Sequence, residues 1–474
     1  MNFIENKLTA LYRRWSGMEP ETITQLPQSG SYRQYFRMTG KDKTFIGAYY
    51  DQVAENMAFI SFSRHFAKMN LNVPEIFAVD DDSVCYLLED LGDIVLFDYL
   101  QKIRSAEGFG EHSLSIYKKI LDELVKFQMV AGKSLDYSVC YPASYFDEQA
   151  YMWDLNYFKY NFLKLANIPY NEFSLENDFK MLTRLLLTAD HHYFVYRDFQ
   201  TRNILCRNDE LYFIDYQGGR KGTLHYDVAS LLFQARAEIP FGDRELLLDY
   251  YISQAGKIEP GILRNFKDHY YLFVLIRVLQ TLGAYGFRGL HEKKQYFISS
   301  IPLALINVKW LLENEKIPET LPEIRKVLEA TLESNSLDAL VKPRLILKIN
   351  SFSYKRGFPA DTSGHGGGFV FDCRALPNPG RYPEYIQMTG LDEPVQAFFS
   401  NYPEIDVFIE NAYNLVKPAV EVYVSRGFQH LMVSFGCTGG RHRSVYCAEK
   451  LAEKLAEKLK GVEGVDVFLR HLEQ

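Results

Sequence analysis

The chain has 474 residues, of which 47% are hydrophobic and 15% aromatic, and its formal net charge is −7. This length exceeds one ordinary hydrophobic core and predicts two or three domains. The acidic balance argues against a surface built for nucleic acid in general, although residues 342–474 are nearly neutral, with 16 Lys and Arg against 15 Asp and Glu.

The cysteines and the apolar segments indicate a cytoplasmic protein. None of the six cysteines is paired in a metal-type CxxC motif, and several lie in apolar runs where a thiol acts as a small hydrophobic group. A reducing compartment is therefore expected. The first 15 residues lack the apolar core of a secretory signal. The most apolar stretch, 270–287, is interrupted by Arg277 and Gln280, which predicts a buried helix and no membrane span.

Residues 1–91 are predicted to form a small sheet with one helix, and residues 92–333 a larger helical lobe. Strand-like runs at 35–38, 45–50, 75–79 and 84–88 surround a segment with helical period at 53–69. Helical periodicity then dominates, broken by strand-like runs at 193–196 and 211–214. This order predicts two lobes with the chemistry in the crevice between them.

The polar segment 334–343, which contains serines and a proline, is interpreted as a linker. Beyond it the pattern predicts a strand at 344–353, a glycine-rich loop at 364–368 and a strand at 369–373. Helices follow, and then a final strand, loop and helix over 430–459. Alternating strands and helices indicate a smaller α/β domain over residues 344–474.

The main catalytic signal is the run YRDFQTRN followed by YFIDYQGG. Asp198 and Asn203 lie five positions apart, and Asp215 follows, each group beside a strand-like run. Phosphoryl transfer needs a carboxylate that accepts the proton of the attacking hydroxyl, and oxygen ligands that hold Mg²⁺ at the ATP phosphates. Asp198 is therefore the predicted base, and Asn203 and Asp215 are the predicted metal ligands.

A phosphate-covering turn and a nucleotide hinge are predicted upstream. The run SGSYRQYFR has the layout of strand, turn and strand, and LLEDL follows the last strand of the small lobe, where backbone groups can contact adenine. The predicted ATP-binding residues are Ser29, Gly30, Ser31, Arg33, Arg37, Glu89 and Leu91.

One feature departs from the protein-kinase pattern in this region. No lysine lies within 45–50, where protein kinases place the lysine that pairs with phosphate, so the ion-pair glutamate expected at Glu55 lacks its usual partner. Arg33 or Arg37 is the candidate replacement, because a guanidinium group can clamp phosphate oxygens.

Residues 20–312 resemble the aminoglycoside phosphotransferase/choline kinase superfamily and, within it, the AmgK-like amino-sugar kinases. The resemblance is carried by SGSYRQYFR, NVPEIFAVD, YLLEDLGD, YRDFQTRNIL, YFIDYQGGRKGTLHYDVASLL and VLIRVLQTLGAYGFRGL. It implies a bilobal α+β protein-kinase-like fold and ATP- and Mg²⁺-dependent transfer to the anomeric hydroxyl of N-acetylmuramate or N-acetylglucosamine. An anomeric hydroxyl is acidic for an alcohol, so an ordinary carboxylate suffices as the base.

The same resemblance implies roles on the acceptor side. Asp154 and Tyr157 lie in a run similar to the family's acceptor helix, where a carboxylate bonds sugar hydroxyls and an aromatic ring stacks on the sugar. An aromatic-rich helix packed in the core is the open alternative. Arg202 is a candidate contact for an acceptor carboxylate or phosphate, and Asp227 is expected to brace the catalytic loop. Position 196 is Tyr where kinases usually have His.

Residues 434–444, SFGCTGGRHRS, lie between a predicted strand and a predicted helix. A glycine-bearing loop in that place points backbone N–H groups at one spot, and the helix dipole adds positive potential. The predicted ligand is a phosphate or a phosphorylated metabolite. The predicted site consists of Cys437, Thr438, Gly439, Gly440, Arg441, His442, Arg443, Ser444, Asp372 and Arg374.

The last quarter of the chain resembles the RapZ C-terminal domain over residues 344–474. The resemblance is carried by SFSYKRGFP, FVFDCRALPNPG, TGLDEPV and GCTGGRHRS. It implies a domain that binds a phosphorylated amino sugar or a nucleotide, with small RNA as a further partner. A feedback effect of such a ligand on the kinase is a coherent hypothesis, and a homo-oligomer is compatible with the sequence.

Two alternatives stay open at this point. Cys437 and Arg443 have the spacing of a cysteine-phosphatase loop, although Gly436 replaces the histidine that usually precedes the cysteine. The whole chain is alternatively a catalytically degenerate kinase-like adaptor that binds a phosphometabolite or small RNA. The missing lysine supports this second alternative.

Overall fold

The computed structural model describes residues 3–27, 32–41, 43–341, 345–361, 367–426, 428–458 and 464–473. The chain divides into two compact units, Met1–Leu340 and Val341–Gln474.

The first unit begins with a five-stranded antiparallel sheet. Its strands are β1 (Thr22–Gln25), β2 (Gln34–Thr39), β3 (Thr44–Tyr49), β4 (Ile76–Val79) and β5 (Cys85–Glu89), in the spatial order β1-β2-β3-β5-β4. Helix α1 (Phe3–Ser16) precedes the sheet, and α2 (Val53–Lys68) follows β3. The strands and the helix predicted for this region are confirmed, whereas α1 and β1 were not predicted.

The two faces of this sheet carry different side chains. Phe36 of β2 and Phe45 of β3 pack in one buried cluster with Leu8 of α1. Because side chains alternate along a strand, Tyr35 and Arg37 point to the opposite face, where they line a cleft.

The rest of the first unit is mostly helical. Its helices are α3 (Leu96–Glu107), α4 (Glu111–Val125), α5 (Glu148–Phe158), α6 (Glu172–Leu186), α7 (His225–Leu232), α8 (Phe241–Ile258), α9 (Phe266–Tyr285), α10 (Gln295–Ile298), α11 (Ile301–Glu313), α12 (Pro322–Leu332) and α13 (Asn335–Val341). Two short antiparallel pairs interrupt them, β6 (Tyr193–Val195) with β9 (Arg220–Gly222), and β7 (Ile204–Arg207) with β8 (Glu210–Phe213).

Helix α9 confirms the buried helix predicted over 270–287. In the described part of the chain, the helical stretch Phe266–His291 is the one segment long and apolar enough to cross a membrane, and 67% of its apolar window is buried inside the protein. Such burial is typical of a core helix.

The segment predicted as a linker, 334–343, is not an extended connection throughout. Residues Asn335–Val341 form helix α13, and residues 342 and 343 lie outside the described residues. Leu337 and Val341 of this helix are buried. Their spacing of four residues places both side chains on one helical face, which explains why this polar segment folds.

The second unit contains a parallel four-stranded sheet. Its strands are β10 (Leu345–Ser353), β11 (Gly368–Asp372), β12 (His430–Cys437) and β13 (Val465–His471), in the spatial order β11-β12-β10-β13. Helices α14 (Glu393–Phe399), α15 (Pro403–Ser425) and α16 (Arg443–Lys458) complete the unit. The register pairs Ser353 with Cys437 and Ser351 with His471. The carboxyl ends of β10, β12 and β13 therefore meet at one edge; β13 was not predicted.

Candidate active site

A cleft of about 850 Å³ lies in the first unit, lined by the small sheet on one side and the helical part on the other. Ile46 and Leu88 of the sheet face Leu205 and Ile214 across part of this cleft. An apolar slot of this kind fits a flat ring such as a nucleobase.

Asp198, Asn203 and Asp215 converge at one wall of the cleft. The hairpin of β7 and β8 brings them together, because its register pairs Ile204 with Phe213. The Asn203 side-chain nitrogen donates to the backbone carbonyl of Asp198 at 2.8 Å and to Asp215 Oδ2 at 3.1 Å. The three residues predicted from the motif thus form one hydrogen-bonded group.

Asp227 fixes the start of the catalytic loop, as expected. Its two carboxylate oxygens accept from the backbone N–H groups of Tyr196, at 2.8 Å, and Arg197, at 2.9 Å, and Gln128 Nε2 adds a third bond at 2.9 Å. Burial raises the pKa of the Asp227 carboxyl to about 7, against the opposite effect of these donors. The carboxyl group has no solvent contact and acts within the protein.

Tyr196 occupies the position where kinases usually have histidine. Its ring is buried, and its hydroxyl donates to the carbonyl oxygen of Ile214 at 2.6 Å. This bond ties the catalytic loop to the segment that carries Asp215, so the tyrosine supplies a structural tie at this position.

Asp215 has an unusual backbone and a perturbed carboxyl group. Its φ is +71°, in the left-handed region that non-glycine residues seldom adopt. The residue keeps contact with solvent through the open cleft. The protein packed around its carboxyl group and the negative charge of Asp198 nevertheless raise its pKa to about 6. Gln217 Nε2 donates to Oδ1 at 2.8 Å.

This set of groups fits a small hard cation. The Asp215 carboxylate and the Asn203 amide oxygen are ligands that Mg²⁺ accepts, together with water and phosphate oxygens. The described residues contain no cluster of three or more His, Cys, Asp or Glu side chains suited to a metal ion.

Arg33 provides the partner that Glu55 lacks in the sequence pattern. Its Nη2 donates to Glu55 Oε1 at 2.9 Å and lies 3.4 Å from Asn56 Oδ1. The guanidinium also lies over the rings of Tyr50, at 5.2 Å, and Phe59, at 5.9 Å. The residue is only 2% exposed. Arg33 immediately precedes β2, so the cation comes from the strand before the one that carries the lysine in protein kinases.

Arg37 is bound differently. Its guanidinium group donates to both oxygens of Asp90 and both oxygens of Asp93, at 2.7 to 3.0 Å. Two carboxylates therefore neutralise this arginine at the hinge, whereas the buried Arg33 is paired with Glu55 and is not among the described residues that line the cleft. Glu89 accepts from Arg207 Nη2 at 2.6 Å, and the buried Leu91 also lines the cleft. The predicted Ser29, Gly30 and Ser31 lie outside the described residues.

The part of the cleft formed by the helical lobe is called the acceptor end here; it contains Trp153, Asp154, Tyr157, Arg202, Arg288 and Phe297. Asp154 is buried, and its two oxygens accept from Arg197 Nη2, at 3.3 Å, and from the Tyr226 hydroxyl, at 3.0 Å. Both oxygens already accept hydrogen bonds within the protein, and the expected bonds between Asp154 and sugar hydroxyls stay a prediction. Tyr157 and the exposed Arg202 also line the cleft, and their contacts with the acceptor stay a prediction.

Arg277 was noted in the sequence only as an interruption of an apolar stretch. It is 3% exposed, and its Nη2 lies 4.0 Å from Asp198 Oδ1. It also donates to the Tyr226 hydroxyl at 3.2 Å and to Ser230 Oγ at 2.8 Å. Arg277 thus places a buried positive charge beside the predicted base. Its presence within an apolar helix was the signal that sequence reasoning passed over.

In the second unit, the loop between β12 and α16 crosses the carboxyl edge of the sheet. Gly440 has a φ of +70°, which a glycine tolerates, and its backbone lies close to Ser353 at the end of β10. Within the described part of the chain, none of the backbone N–H groups of residues 438–442 donates to another protein group. These N–H groups, with the start of α16, are free for an anion.

The charged residues of this loop divide into two kinds. Arg443 is buried and donates to the carbonyl oxygens of Arg374, at 2.7 Å, and Leu376, at 3.1 Å, while His442 Nε2 faces the carbonyl oxygen of Tyr385 at 2.9 Å. Arg441 is exposed, with one contact of 3.3 Å to the carbonyl oxygen of Gln387. Arg443 and His442 thus hold the neighbouring segment, in contrast to the expectation that all three supply charge to the ligand.

Asp372 is the last residue of β11, and it pairs with Arg374, which follows the strand. Four hydrogen bonds of 2.7 to 3.0 Å join them, and Arg374 lies 4.0 Å from the ring centre of Tyr354. Sequence reasoning missed Arg356 and Glu473, which form a 2.9 Å ion pair beside the loop. Their position after β10 and β13 would have indicated this edge, had β13 been predicted.

Cys437 and Arg443 do not form a shared phosphate cradle. Cys437 is buried, and its Sγ lies 3.1 Å from Ser444 Oγ, while the Arg443 guanidinium group is bound to backbone carbonyls. The cysteine-phosphatase alternative requires both groups on one ligand, and this geometry disfavours it.

Known families match both units. The model for the phosphotransferase enzyme family matches residues 22–265, and the model for the RapZ C-terminal domain matches residues 345–473. A protein-kinase-like unit is thus followed by a smaller α/β domain, and the predicted fold class is confirmed. The chain belongs to the phosphotransferase enzyme family.

Curated relatives match over a shorter length. A nucleotide-binding protein of Thermotoga sp. (strain RQ2) is 48% identical over 105 residues, which are 22% of this chain and 36% of the relative. A nucleotide-binding protein of Thermotoga petrophila is 46% identical over 105 residues, with the same coverage. The chain spans about a third of the length of these relatives.

Similar solved structures include two kinases of small alcohols. An ethanolamine kinase of Plasmodium vivax has 12% identity and a TM-score of 0.47, covering 63% of this chain and 85% of that chain. Choline kinase LicA of Streptococcus pneumoniae has 14% identity and a TM-score of 0.42, covering 65% of this chain and 99% of that chain.

Proposed function

We propose that the first unit is an ATP- and Mg²⁺-dependent kinase that phosphorylates a sugar hydroxyl, the anomeric hydroxyl of N-acetylmuramate or N-acetylglucosamine, in the cytoplasm. The observation that carries this proposal is the convergence of Asp198, Asn203 and Asp215 on one wall of the cleft. Family membership supports phosphotransfer, and the resemblance of the motifs to amino-sugar kinases supports the acceptor.

The proposed reaction transfers the γ-phosphoryl group of ATP to the acceptor. The acceptor oxygen forms a bond to the γ-phosphorus, the bond from that phosphorus to its bridging oxygen breaks, and ADP leaves with the electron pair. Asp198 accepts the proton of the attacking hydroxyl, and the positive charge of Arg277 lies 4.0 Å from its carboxylate. Asn203 and Asp215 would hold Mg²⁺, which neutralises the charge of the phosphate oxygens.

The other residues of the cleft provide the proposed contacts with the nucleotide. The adenine ring lies in the slot between Ile46 and Leu205, with the backbone at Glu89 and Leu91 within reach of its edge. Arg33, paired with Glu55 and lying over the ring of Phe59, which lines the cleft, is the proposed source of positive charge for the phosphates. This ion pair also weakens the case for a degenerate adaptor, because the absent lysine was its main support.

The test is a screen for Mg·ATP consumption across N-acetylmuramate, N-acetylglucosamine, choline and aminoglycosides. Asp198→Asn keeps the size of the side chain but removes the base, so turnover is expected to fall about 10²- to 10⁴-fold while Mg·ATP still binds. Product analysis by ³¹P NMR distinguishes an anomeric phosphate from other esters. Unchanged turnover in Asp198→Asn, or no consumption with any acceptor, would exclude the proposal.

We propose further that the second unit binds a phosphorylated metabolite, an amino-sugar phosphate or a nucleotide, at the loop of residues 437–444, and that this ligand adjusts the kinase. The free N–H groups of the loop and the start of α16 support an anion there. Calorimetric titration of the full chain with glucosamine 6-phosphate and with ATP tests the binding, and Arg441→Gln tests the charge. Kinase rates that do not respond to a bound ligand would exclude the regulatory part. RNA binding, the remaining alternative, would weaken steeply with salt.

A further inference from the structure

We propose that the hydroxyl group of Tyr35 makes the contact with the nucleotide phosphates, and that Arg33 acts on the phosphates through this hydroxyl. This assignment rests on the proposed kinase function and deepens it, because it names the side chain that takes over the phosphate contact of the missing lysine. Tyr35 would then be a binding residue, and Arg33 a positioning residue behind it.

The first observation is that Arg33 is enclosed. It is 2% exposed, its Nη2 donates to Glu55 Oε1 at 2.9 Å, and it is not among the described residues that line the cleft. Its guanidinium group lies over the rings of Tyr50, at 5.2 Å, and Phe59, at 5.9 Å, and Phe59 lines the cleft. A charge buried in this way raises the potential in the cleft, but a second group is needed to touch a phosphate oxygen.

The second observation is that Tyr35 connects Arg33 to the cleft. It lies two positions after Arg33, on β2, and its side chain lines the cleft. Strand pairing places Tyr35 beside Ala48 of β3, and Ala48 beside Tyr86 of β5, so the three side chains form one row on the same face of the sheet. Protein kinases place the phosphate-pairing lysine on β3. The methyl group of Ala48 is too short for this contact, which is therefore left to its neighbours.

The hydroxyl group of Tyr35 has the right hydrogen-bonding capacity. The Arg33 guanidinium group donates to its oxygen, and the charge of Asp215 also acts on it. Burial raises the pKa of Tyr35, and the positive charge of Arg33 opposes this effect only in part, so the hydroxyl keeps its proton at neutral pH. Because a guanidinium group can only donate, the proton of Tyr35 can point to an acceptor in the cleft. A phosphate oxygen is such an acceptor, and the bond from Arg33 polarises the hydroxyl and strengthens its donation.

Tyr86, at the other end of the row, differs from Tyr35 in one respect. Its ring is fully buried, and within the described structure its hydroxyl has no hydrogen-bond partner. It also interacts electrostatically with Arg33, but it is not among the described residues that line the cleft. The two tyrosines thus flank the same alanine beside the same cation, and only Tyr35 has access to a nucleotide.

The experiment compares Tyr35→Phe with Tyr86→Phe, the matched control. Each substitution removes one hydroxyl group and keeps the ring. Calorimetric titration of the full chain with Mg·ATP, Mg·ADP and adenosine measures the effect on the phosphates separately from the effect on the base. The same titrations on Arg33→Met, and on Arg33→Met combined with Tyr35→Phe, measure whether the two residues act together.

Tyr35→Phe is expected to weaken Mg·ATP binding about tenfold or more, because it removes a hydrogen bond to a charged group, and to leave adenosine binding unchanged. Tyr86→Phe should leave both affinities unchanged. Since Arg33 acts through Tyr35, the loss caused by Tyr35→Phe should shrink to less than about threefold when Arg33 is already replaced by Met.

Unchanged Mg·ATP affinity in Tyr35→Phe, an equal loss for adenosine, or an equal loss in Tyr86→Phe overturns the phosphate contact. Losses that add in the double variant overturn the route through Arg33. The comparison of the two tyrosines needs no Arg33 variant, so it decides the phosphate contact even where Arg33→Met folds poorly. Each of these results leaves the kinase proposal intact, whereas a wild type that does not bind Mg·ATP excludes the kinase proposal itself.

Discussion

Arg33 and Glu55 form an ion pair of 2.9 Å between the residue before β2 and the first turn of α2. Protein kinases make the equivalent pair with a lysine on the next strand, β3 in this chain. The ion pair with the helix glutamate is thus kept, but its cation lies just before β2 and not on β3. The longer, forked side chain of arginine covers the extra distance.

Arg33→Met is expected to weaken Mg·ATP binding roughly 30-fold or more, because it removes a buried cation and leaves Glu55 without its partner. Arg33→Lys should retain part of the affinity. Calorimetric titration with Mg·ATP and with adenosine measures the effect on the phosphates separately from the effect on the base. Arg37→Met is the matched control, with a smaller loss expected, since Asp90 and Asp93 already neutralise Arg37. An equal loss for adenosine would mean that Arg33 only holds the lobe together.

Asp227→Asn is expected to destabilise the first unit by about 2 kcal/mol. In the wild type three N–H donors bind the Asp227 carboxylate, and in the variant the amide NH₂ group would face one of these donors and leave it without an acceptor. Urea unfolding followed by tryptophan fluorescence measures the change. All three tryptophans, Trp15, Trp153 and Trp310, lie in the first unit, so the signal reports that unit alone. Asp249→Asn, which breaks an exposed ion pair with Lys267, is the control and should have little effect. A comparable loss in both variants would contradict the assigned role.

The buried imidazole of His225 is expected to make the stability of the first unit depend on pH. Its ring is buried and stacked on Phe266 and Phe273. Burial, with a contribution from His269, lowers its pKa to about 3 from the ordinary 6.5. Between these values the unfolded chain takes up a proton that the folded chain does not. Stability should therefore fall as pH falls below 6.5, by about 1.4 kcal/mol per pH unit for this group.

The measurement is tryptophan-detected unfolding between pH 7 and pH 5. His225→Phe retains the stacking. It should lower the dependence of the unfolding free energy on pH by the amount that one proton, taken up on unfolding, contributes. His192→Phe, at an exposed position, should leave the slope unchanged. A wild-type slope that survives in His225→Phe would assign the pH dependence to other groups.

Two neighbouring glycines test the anion loop of the second unit. A side chain at Gly440 would be strained by its φ of +70°, would clash with Glu473 and would lie 3.0 Å from Ser353 N. At Gly439 an added Cβ meets nothing within 4 Å. Gly440→Ala is therefore expected to abolish or strongly weaken glucosamine 6-phosphate binding, and Gly439→Ala to preserve it. Calorimetry on the full chain measures this, and unchanged tryptophan-detected unfolding shows that the first unit is intact. Equal effects of both substitutions would exclude a shaped loop.

Much of the fold was predictable because most of its elements have strong local patterns. The apolar residues recur with a period of about 2 in the strands β2 to β5 and of about 3.6 in helix α2. The loop after β12 leads into a helix with a clear apolar stripe. Helix α13 was missed because serine and proline suggested a linker, while the two apolar residues that make it fold, Leu337 and Val341, are only four positions apart. Strand β13 was missed although Gly461 and Gly464, which are a sequence signal of a turn, lie between the low-complexity helix and this strand.

The catalytic group was predictable for a different reason. Asp198, Asn203 and Asp215 are close in sequence, and one hairpin brings them together. The cations that surround them come from far along the chain, as Arg277 does, and long side chains reach their partners across helices. Sequence spacing carries no information on such contacts, so the partner of Arg277 could be assigned only from the structure.

The hydrogen bonds from two successive backbone amides to Asp227 determine when the catalytic loop becomes ordered. The amide protons of Tyr196 and Arg197 are locked on a carboxylate that has no access to water, so they are expected to exchange with deuterium only when the whole unit opens. The loop is thus preset in its working shape before either substrate arrives, and little of the binding energy is spent on ordering it.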